Sequence, residues 1–285
     1  MVWVNPTFVV AGLPQPGRTL VIGVVNVTPD SFSDGGKWLD PDAAVAHGLD
    51  LLDQGADIID VGGESTRPGA VRPSLAEELR RVMPVVNRLV DAGALISVDT
   101  MRTEVVTEAV AAGAKLINDV SGGQADPQMF ATIGRLGVPY VCMHWRGHAA
   151  QMQSRASYVD VVSDVVAELR VQIDAAVGAG IDPDQLILDP GIGFAKTGEH
   201  NWQLLHRFDE LGVLGRPLLV GVSRKAFLGT LLSDGQGNPR PASGRDDATT
   251  ALTVVLAQHG VWGVRVHSVR ATRDAIAVVQ RLAQG

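Results

Sequence analysis

From Leu20 onward the sequence alternates between two kinds of segment, and this alternation constrains the fold more than any other feature. Short runs rich in Val, Ile and Leu read as parallel strands buried on both faces, and each is followed by a longer stretch with helical periodicity. The strand segments are Leu20–Val27, Asp57–Val61, Leu95–Asp99, Lys115–Val120, Pro139–His144, Gln185–Asp189, Pro217–Val222 and Gly263–His267. Amphipathic stretches between them include Pro41–Gln54, Leu75–Val90, Thr103–Ala112 and Tyr158–Val177. Gly55, Gly93, Gly113, Gly137 and Gly180 stand where a helix must turn back into a strand, the position at which glycine most easily takes a left-handed backbone. About eight such units without a break in composition predict a closed (β/α)₈ barrel spanning residues 20–285. An open, doubly wound sheet is the structural alternative and normally has fewer units. Residues 1–19, with Thr7–Val10 ahead of a Gly/Pro turn through Gly17, are expected to form a hairpin closing the barrel bottom. Thr28–Lys37 and Ser233–Arg245 read as loops.

Composition narrows the function. The chain has 285 residues, 46% of them hydrophobic, and 24 Lys and Arg against 31 Asp and Glu, for a net charge of -7. No basic stripe offers itself to a nucleic acid, so any anionic ligand must be met by a few locally placed cations. The lone cysteine, Cys142, lies in an apolar run and reads as a core residue. No apolar run approaches the roughly 20 residues that span a bilayer. Met1–Pro6 carries no basic segment ahead of an apolar one, so no signal peptide is expected and the cytoplasm is the expected compartment.

In a barrel of this kind the chemistry sits at the C-terminal ends of the strands. Those positions hold Asn26, Asp60, Asp99, Asn118, His144, Asp189, Ser223 with Lys225, and Arg265 with His267. A charge ending a buried strand costs free energy unless it is paired or meets a ligand. Any one Asp is as well explained as a helix cap, but capping does not explain nearly every strand ending in a polar group. Asp99, Asn118 and Asp189 suit a flat heterocycle with an amino group and ring N–H. Arg67, Lys225, Arg265 and His267 suit phosphate or carboxylate. Arg224 reads as structural, Glu64 and Arg67 as a loop ion pair, and His144 equally as packing or as a member of the ring. Trp202 and Trp262 read as core or interface.

Several of these segments are motifs. Gly23 through Gly36 (Gly-Val-Val-Asn-Val-Thr-Pro-Asp-Ser-Phe-Ser-Asp-Gly-Gly) and Asp60 through Gly69 (Asp-Val-Gly-Gly-Glu-Ser-Thr-Arg-Pro-Gly) closely resemble the two long signatures of the dihydropteroate synthase family. Ser97–Thr100, Ile117–Val120, Met143-His144, Leu188–Phe194, Gly221–Lys225 and Arg265–His267 resemble its remaining motifs, in family order. The resemblance implies a TIM barrel that joins 6-hydroxymethyl-7,8-dihydropterin diphosphate to p-aminobenzoate, with release of diphosphate. It also implies residue roles. Asp99, Asn118, Met143, Asp189 and Lys225 would bind the pterin. Asn26, Asp34, Thr66, Arg265 and His267 would bind the diphosphate, with Asn26 a ligand of Mg²⁺. Arg67, Pro68, Phe194 and Ser223 would form the p-aminobenzoate pocket, which sulfonamides also occupy. Asp99, Lys225, Arg265 and His267 would take part in the chemistry. A homodimer is expected from the same resemblance, with Ala248–Leu256 and Val261-Trp262 at its interface. Two alternatives stay open at this level: a pterin-binding methyltransferase of the methyltetrahydrofolate–corrinoid type, and a non-catalytic relative.

Overall fold

The computed structural model describes residues 8–28, 40–65, 70–148 and 152–284. Eight parallel strands alternate with helices along this chain. They are β1 (Leu20–Asn26), β2 (Ile58–Gly62), β3 (Ile96–Asp99), β4 (Leu116–Asp119), β5 (Tyr140–Met143), β6 (Leu186–Asp189), β7 (Leu219–Val220) and β8 (Gly263–Val266). The principal helices are α1 (Pro41–Asp53), α2 (Leu75–Asp91), α3 (Thr103–Ala111), α4 (Met129–Leu136), α5 (Val161–Gly178), α6 (Gly198–His206), α7 (Ala226–Leu231), α8 (Asp246–Gln258) and α9 (Val269–Ala283). The strand order is β6-β5-β4-β3-β2-β1-β8-β7, and the circle closes where Leu188 bridges Leu218 and donates its N–H to the Pro217 carbonyl at 2.9 Å. The expected (β/α)₈ barrel is therefore the fold. All five glycines singled out at helix ends have positive φ.

Residue parity along the strands builds the two layers of the interior. Side chains two apart on a strand share a face. Leu20, Ile22, Ile58, Leu116, Val141, Ile187 and Leu219 point inward near the strand N-termini and form an apolar cluster with Trp262. Two residues further along, the same parity brings Asn118, Met143, Asp189 and Gly221 to the rim of the opposite end. The other parity, including Val21, Val25, Ile59, Val98 and Ile117, packs outward against the helices. Bidentate pairing of Arg18 with Asp57, at 2.7 Å for both contacts, and acceptance of the Val21 N–H by Asp57 fix the bottom of β1.

Some expectations shift in detail. Residues 8–19 contain turns and no strand, so the N-terminal hairpin is not confirmed, although Val10 and Leu13 pack into the apolar cluster at the bottom. The seventh strand is only Leu219–Val220, because Pro217 has no N–H to give and Leu218 makes an isolated bridge. Helix α5 starts at Val161 rather than at Tyr158, because the Asp160 carboxylate accepts the Ser163 N–H at 2.8 Å and caps it. Val261 and Trp262 are buried in their own chain and are not available to an interface. Helix α4 presses on the turn after α5 so closely that a Cβ on Gly134 would stand 2.8 Å from the Gly180 carbonyl carbon. Among the described residues no helix is long and apolar enough to cross a membrane.

Candidate active site

A cleft open to solvent at its mouth, with about 500 Å³ of empty space counting the solvent at that mouth, occupies the C-terminal end of the barrel. Asp99, Asn118, Met143, Asp189, Phe194, Ser223, Lys225, Arg265 and His267 line it, together with Val120, Ile192 and Gly221. Asn26 ends β1 half-buried, outside this lining. Asp34, Thr66, Arg67 and Pro68 lie outside the described residues.

A polar chain crosses the floor. Arg265 donates from Nε to Asp60 at 2.6 Å and from Nη2 to Asp99 at 3.0 Å, and Asn118 donates from Nδ2 to the same Asp60 oxygen at 3.1 Å. Asp60 is completely buried, so one guanidinium fork anchors two carboxylates and sets the orientation of the Asn118 amide. Burial pushes the Asp99 carboxyl up to about 8 against the pull of Arg265, with Asp60 adding to the rise. Burial also raises Asp189 to about 6, held back first by the Gly191 N–H that it accepts at 2.7 Å. Lys225 is driven the other way, down to about 8, by loss of water around its ammonium. Its Nζ lies 4.0 Å from the centroid of the Phe194 ring. While Asp99 is protonated, Asp60 and Asp189 balance the cations Arg265 and Lys225; as Asp99 loses its proton near 8 the floor turns negative, an environment that favours a positive ligand or transition state.

Next to this floor, the Ser223 hydroxyl accepts the backbone N–H of His267 at 3.2 Å and lies 2.9 Å from its Nδ1. Burial, reinforced by Arg224 and Arg265, pushes the His267 imidazole well below its ordinary range, which favours the neutral ring. In the neutral tautomer with its hydrogen on Nε2, Nδ1 accepts the Ser223 hydroxyl hydrogen. Met101, Val120 and Met143 form an apolar cluster with Ala125, Trp145 and Phe194, the kind of wall a flat ring packs against.

Residues 22–267 match the family model described as "Pterin binding enzyme". The chain belongs to the pterin-binding enzymes. It is 53% identical over 260 residues to the dihydropteroate synthase of Mycobacterium leprae (strain TN), covering 91% of this chain and 92% of that protein. It is 43% identical to that of Bacillus subtilis (strain 168), over 91% and 87% of the two chains. Among solved structures it resembles a Yersinia pestis dihydropteroate synthase in complex with a sulfonamide drug. The TM-score is 0.91 at 40% identity, covering 98% of this chain and 99% of that one. It also resembles a Xanthomonas albilineans dihydropteroate synthase with 4-aminobenzoic acid, with TM-score 0.87 at 45% identity and 98% of each chain covered.

The architecture of a pterin-binding enzyme explains what the sequence reading grouped and what it left out. Nine of the fourteen site residues expected from the sequence line one cleft; strand-end position is the signal for seven of them, and the family resemblance for Met143 and Phe194. Asp60 was among the strand-end residues but was given no site role, and it proves to be the hub between Arg265 and Asn118. Arg224 is structural, as expected: it pairs with Asp246 at 2.7 Å. Glu64 does form a loop ion pair, but with Arg72 at 3.1 Å. His144 does not line the cleft; it is buried between Glu168 and Lys196.

Proposed function

We infer that the chain is a dihydropteroate synthase in activity, condensing 6-hydroxymethyl-7,8-dihydropterin diphosphate with p-aminobenzoate to give 7,8-dihydropteroate and diphosphate. The observation that carries this reading is the buried carboxyl of Asp99, which lines the cleft bound to Arg265 and whose ionisation turns the floor negative. Scission of the C–O bond to diphosphate leaves positive charge on the pterin methylene, and such a floor stabilises it. Asp99, Asn118 and Asp189 read the pterin edge, while Met143 and Lys225 bound its ring. Arg265 and the Nε2–H of His267 receive charge on the departing diphosphate, a contact in which the resemblance also gives Asp34 and Thr66 a part. The amine of p-aminobenzoate attacks without a strong base, seated by Phe194, Ser223, Arg67 and Pro68; sulfonamides compete for the same seat.

A magnesium ion fits the donor set. Asn26 offers a neutral amide oxygen at the rim, and Mg²⁺ typically keeps most of its waters and takes phosphate oxygens rather than a full protein cage. Asn26 would hold it, and when bound it supplies Lewis-acid neutralisation of the diphosphate. The resemblance also supports a homodimer and a cytoplasmic enzyme; sedimentation as a monomer only, at micromolar concentration, would exclude the former.

The loops after β1 and β2 are Gly-, Pro- and Ser-rich, with little apolar surface of their own. Pterin diphosphate therefore binds first and completes the p-aminobenzoate pocket through them. Mixing both substrates with the protein should release diphosphate, and absence of release would overturn the activity. Calorimetry should show p-aminobenzoate binding tightly only once pterin and diphosphate are present; equal affinity without them would exclude ordered binding.

A further inference from the structure

Behind the wall of the cleft lies a buried cation that none of these roles uses. Lys196 is 3% exposed, in the turn between β6 and α6. Its Nζ lies 3.0 Å from the Gly191 carbonyl, 3.2 Å from the Phe194 carbonyl and 3.0 Å from His144 Nδ1. Burial pulls its amine down to about 7, against Asp189, so below that pH it is an ammonium with three hydrogens and no acceptor, and it finds three acceptors here. His144 must then present a lone pair at Nδ1 and carry its hydrogen on Nε2, which lies 2.9 Å from Glu168 Oε2. Burial, and after it Lys196 itself, pushes His144 down to about 4, in keeping with a neutral ring. Arg146 closes the far end of the chain: it pairs with Glu168 and stacks 3.8 Å over the Tyr158 ring. The Tyr158 hydroxyl in turn donates to the Ala195 carbonyl at 2.9 Å.

The turn held in this way is one that the backbone resists. Gly191, Gly193 and Ala195 have φ of 67°, 83° and 47°, and a left-handed backbone is unfavourable for alanine. The carbonyls of residues 191, 194 and 195 are drawn back to Lys196 and Tyr158, away from the cleft. On the cleft side the same turn presents Ile192 and Phe194 and backs Lys225. A Cβ on Gly193 would stand 2.9 Å from Lys225 Cδ.

We propose that Lys196 is a positioning residue for the amine-accepting half of the site: with His144 and Glu168 behind it, its ammonium clasps the Gly191–Ala195 turn so that Phe194 stands where p-aminobenzoate is received. This rests on the synthase reading. Its mark is selectivity: Asp99, Asn118 and Asp60 are tied together through Arg265 without the clasp, and the turn reaches the pterin contacts only through the Gly191 N–H that Asp189 accepts.

The test is calorimetry and steady-state kinetics on the whole protein with Lys196→Met, which keeps the stem and removes the charge. Binding of pterin diphosphate should stay within about twofold of wild type. Affinity for p-aminobenzoate in the presence of pterin and diphosphate should fall about tenfold, the scale of one or two lost charge-assisted hydrogen bonds. Tyr158→Phe, which cuts only the Ala195 tether, should move p-aminobenzoate in the same direction by less, and it serves alone if Lys196→Met does not fold. Equal losses for both ligands, or no loss for p-aminobenzoate in either variant, overturn the proposal. A wild-type protein that binds neither ligand would overturn the synthase reading and this one with it. A competent wild type with unchanged variants removes only the role of Lys196.

Discussion

At the scale of single residues, the site turns on the protonation of two groups that face each other across the cleft. Asp99 stabilises positive charge only when ionised, which in the unliganded protein requires a pH above about 8. Lys225 keeps its charge only below about 8. Thus kcat/KM for pterin diphosphate should climb with pH as Asp189 and then Asp99 lose their protons, and decline as Lys225 loses its own, with a maximum near 8. Asp99→Asn should remove the upper step of the acid limb. It should also lower kcat by about 10²- to 10³-fold, the cost of losing one preorganised electrostatic group. An unchanged kcat with only a raised KM would assign Asp99 to uniform binding instead. For the metal, exhaustive chelation should silence turnover, and Asn26→Ala should raise the Mg²⁺ needed for half-maximal rate about tenfold, equivalent to ~1.4 kcal/mol. Full activity after chelation would remove magnesium from the reaction. Asp99, Asn118 and Asp189 were legible because each is a polar end on an apolar run. The pairing of Arg265 with Asp60 was not, since the partners lie 205 positions apart and only barrel closure joins them. Lys196 left a fainter trace, a cation inside the run Gly191-Ile-Gly-Phe-Ala-Lys196.

At the scale of elements, periodicity located the strands and the four helical stretches it named to within a few residues, because every strand must be buried on both faces. Boundaries slipped where a side chain decided them, as Asp160 does for α5. The seven-residue 3₁₀ segment Phe208–Leu214 has no sequence signal of its own beyond Phe208, Leu211 and Leu214, which it buries. Helix packing gives a prediction whose sign is informative. Alanine in place of glycine inside a helix ordinarily stabilises, by roughly 0.5–1 kcal/mol. At Gly134 the added methyl would meet the Gly180 backbone at 2.8 Å, and backbone cannot rotate aside. Gly134→Ala should therefore destabilise the protein by about 1–3 kcal/mol in urea unfolding, with both substrate affinities unchanged. A gain in stability would show that α4 can shift away at little cost.

At the scale of the whole molecule, the barrel is unevenly sewn. Strands β1 and β2 pair over five residues, whereas β7 offers two residues to β8 and meets β6 through the Leu188–Leu218 bridge. The thin seam runs beneath the chemistry, since Asp189 ends β6 and Ser223 and Lys225 follow β7. Opening it would part the pterin-facing carboxylate from its lysine while leaving the other strands and the helical ring paired. Local openings of this kind cost less than global unfolding. The enzyme should consequently be disarmed before it is dismantled. In a urea titration, turnover should vanish at a lower concentration than helical circular dichroism does, and the amides of Leu188, Leu219 and Val220 should exchange with solvent ahead of those of Val24 and Ile59. Coincident midpoints would mean that the seam gives way only with everything else. If the order holds, tolerance to heat or solvent in this molecule is set by a few hydrogen bonds between two neighbouring staves, and mending that gap would extend its working range without touching a single ligand contact.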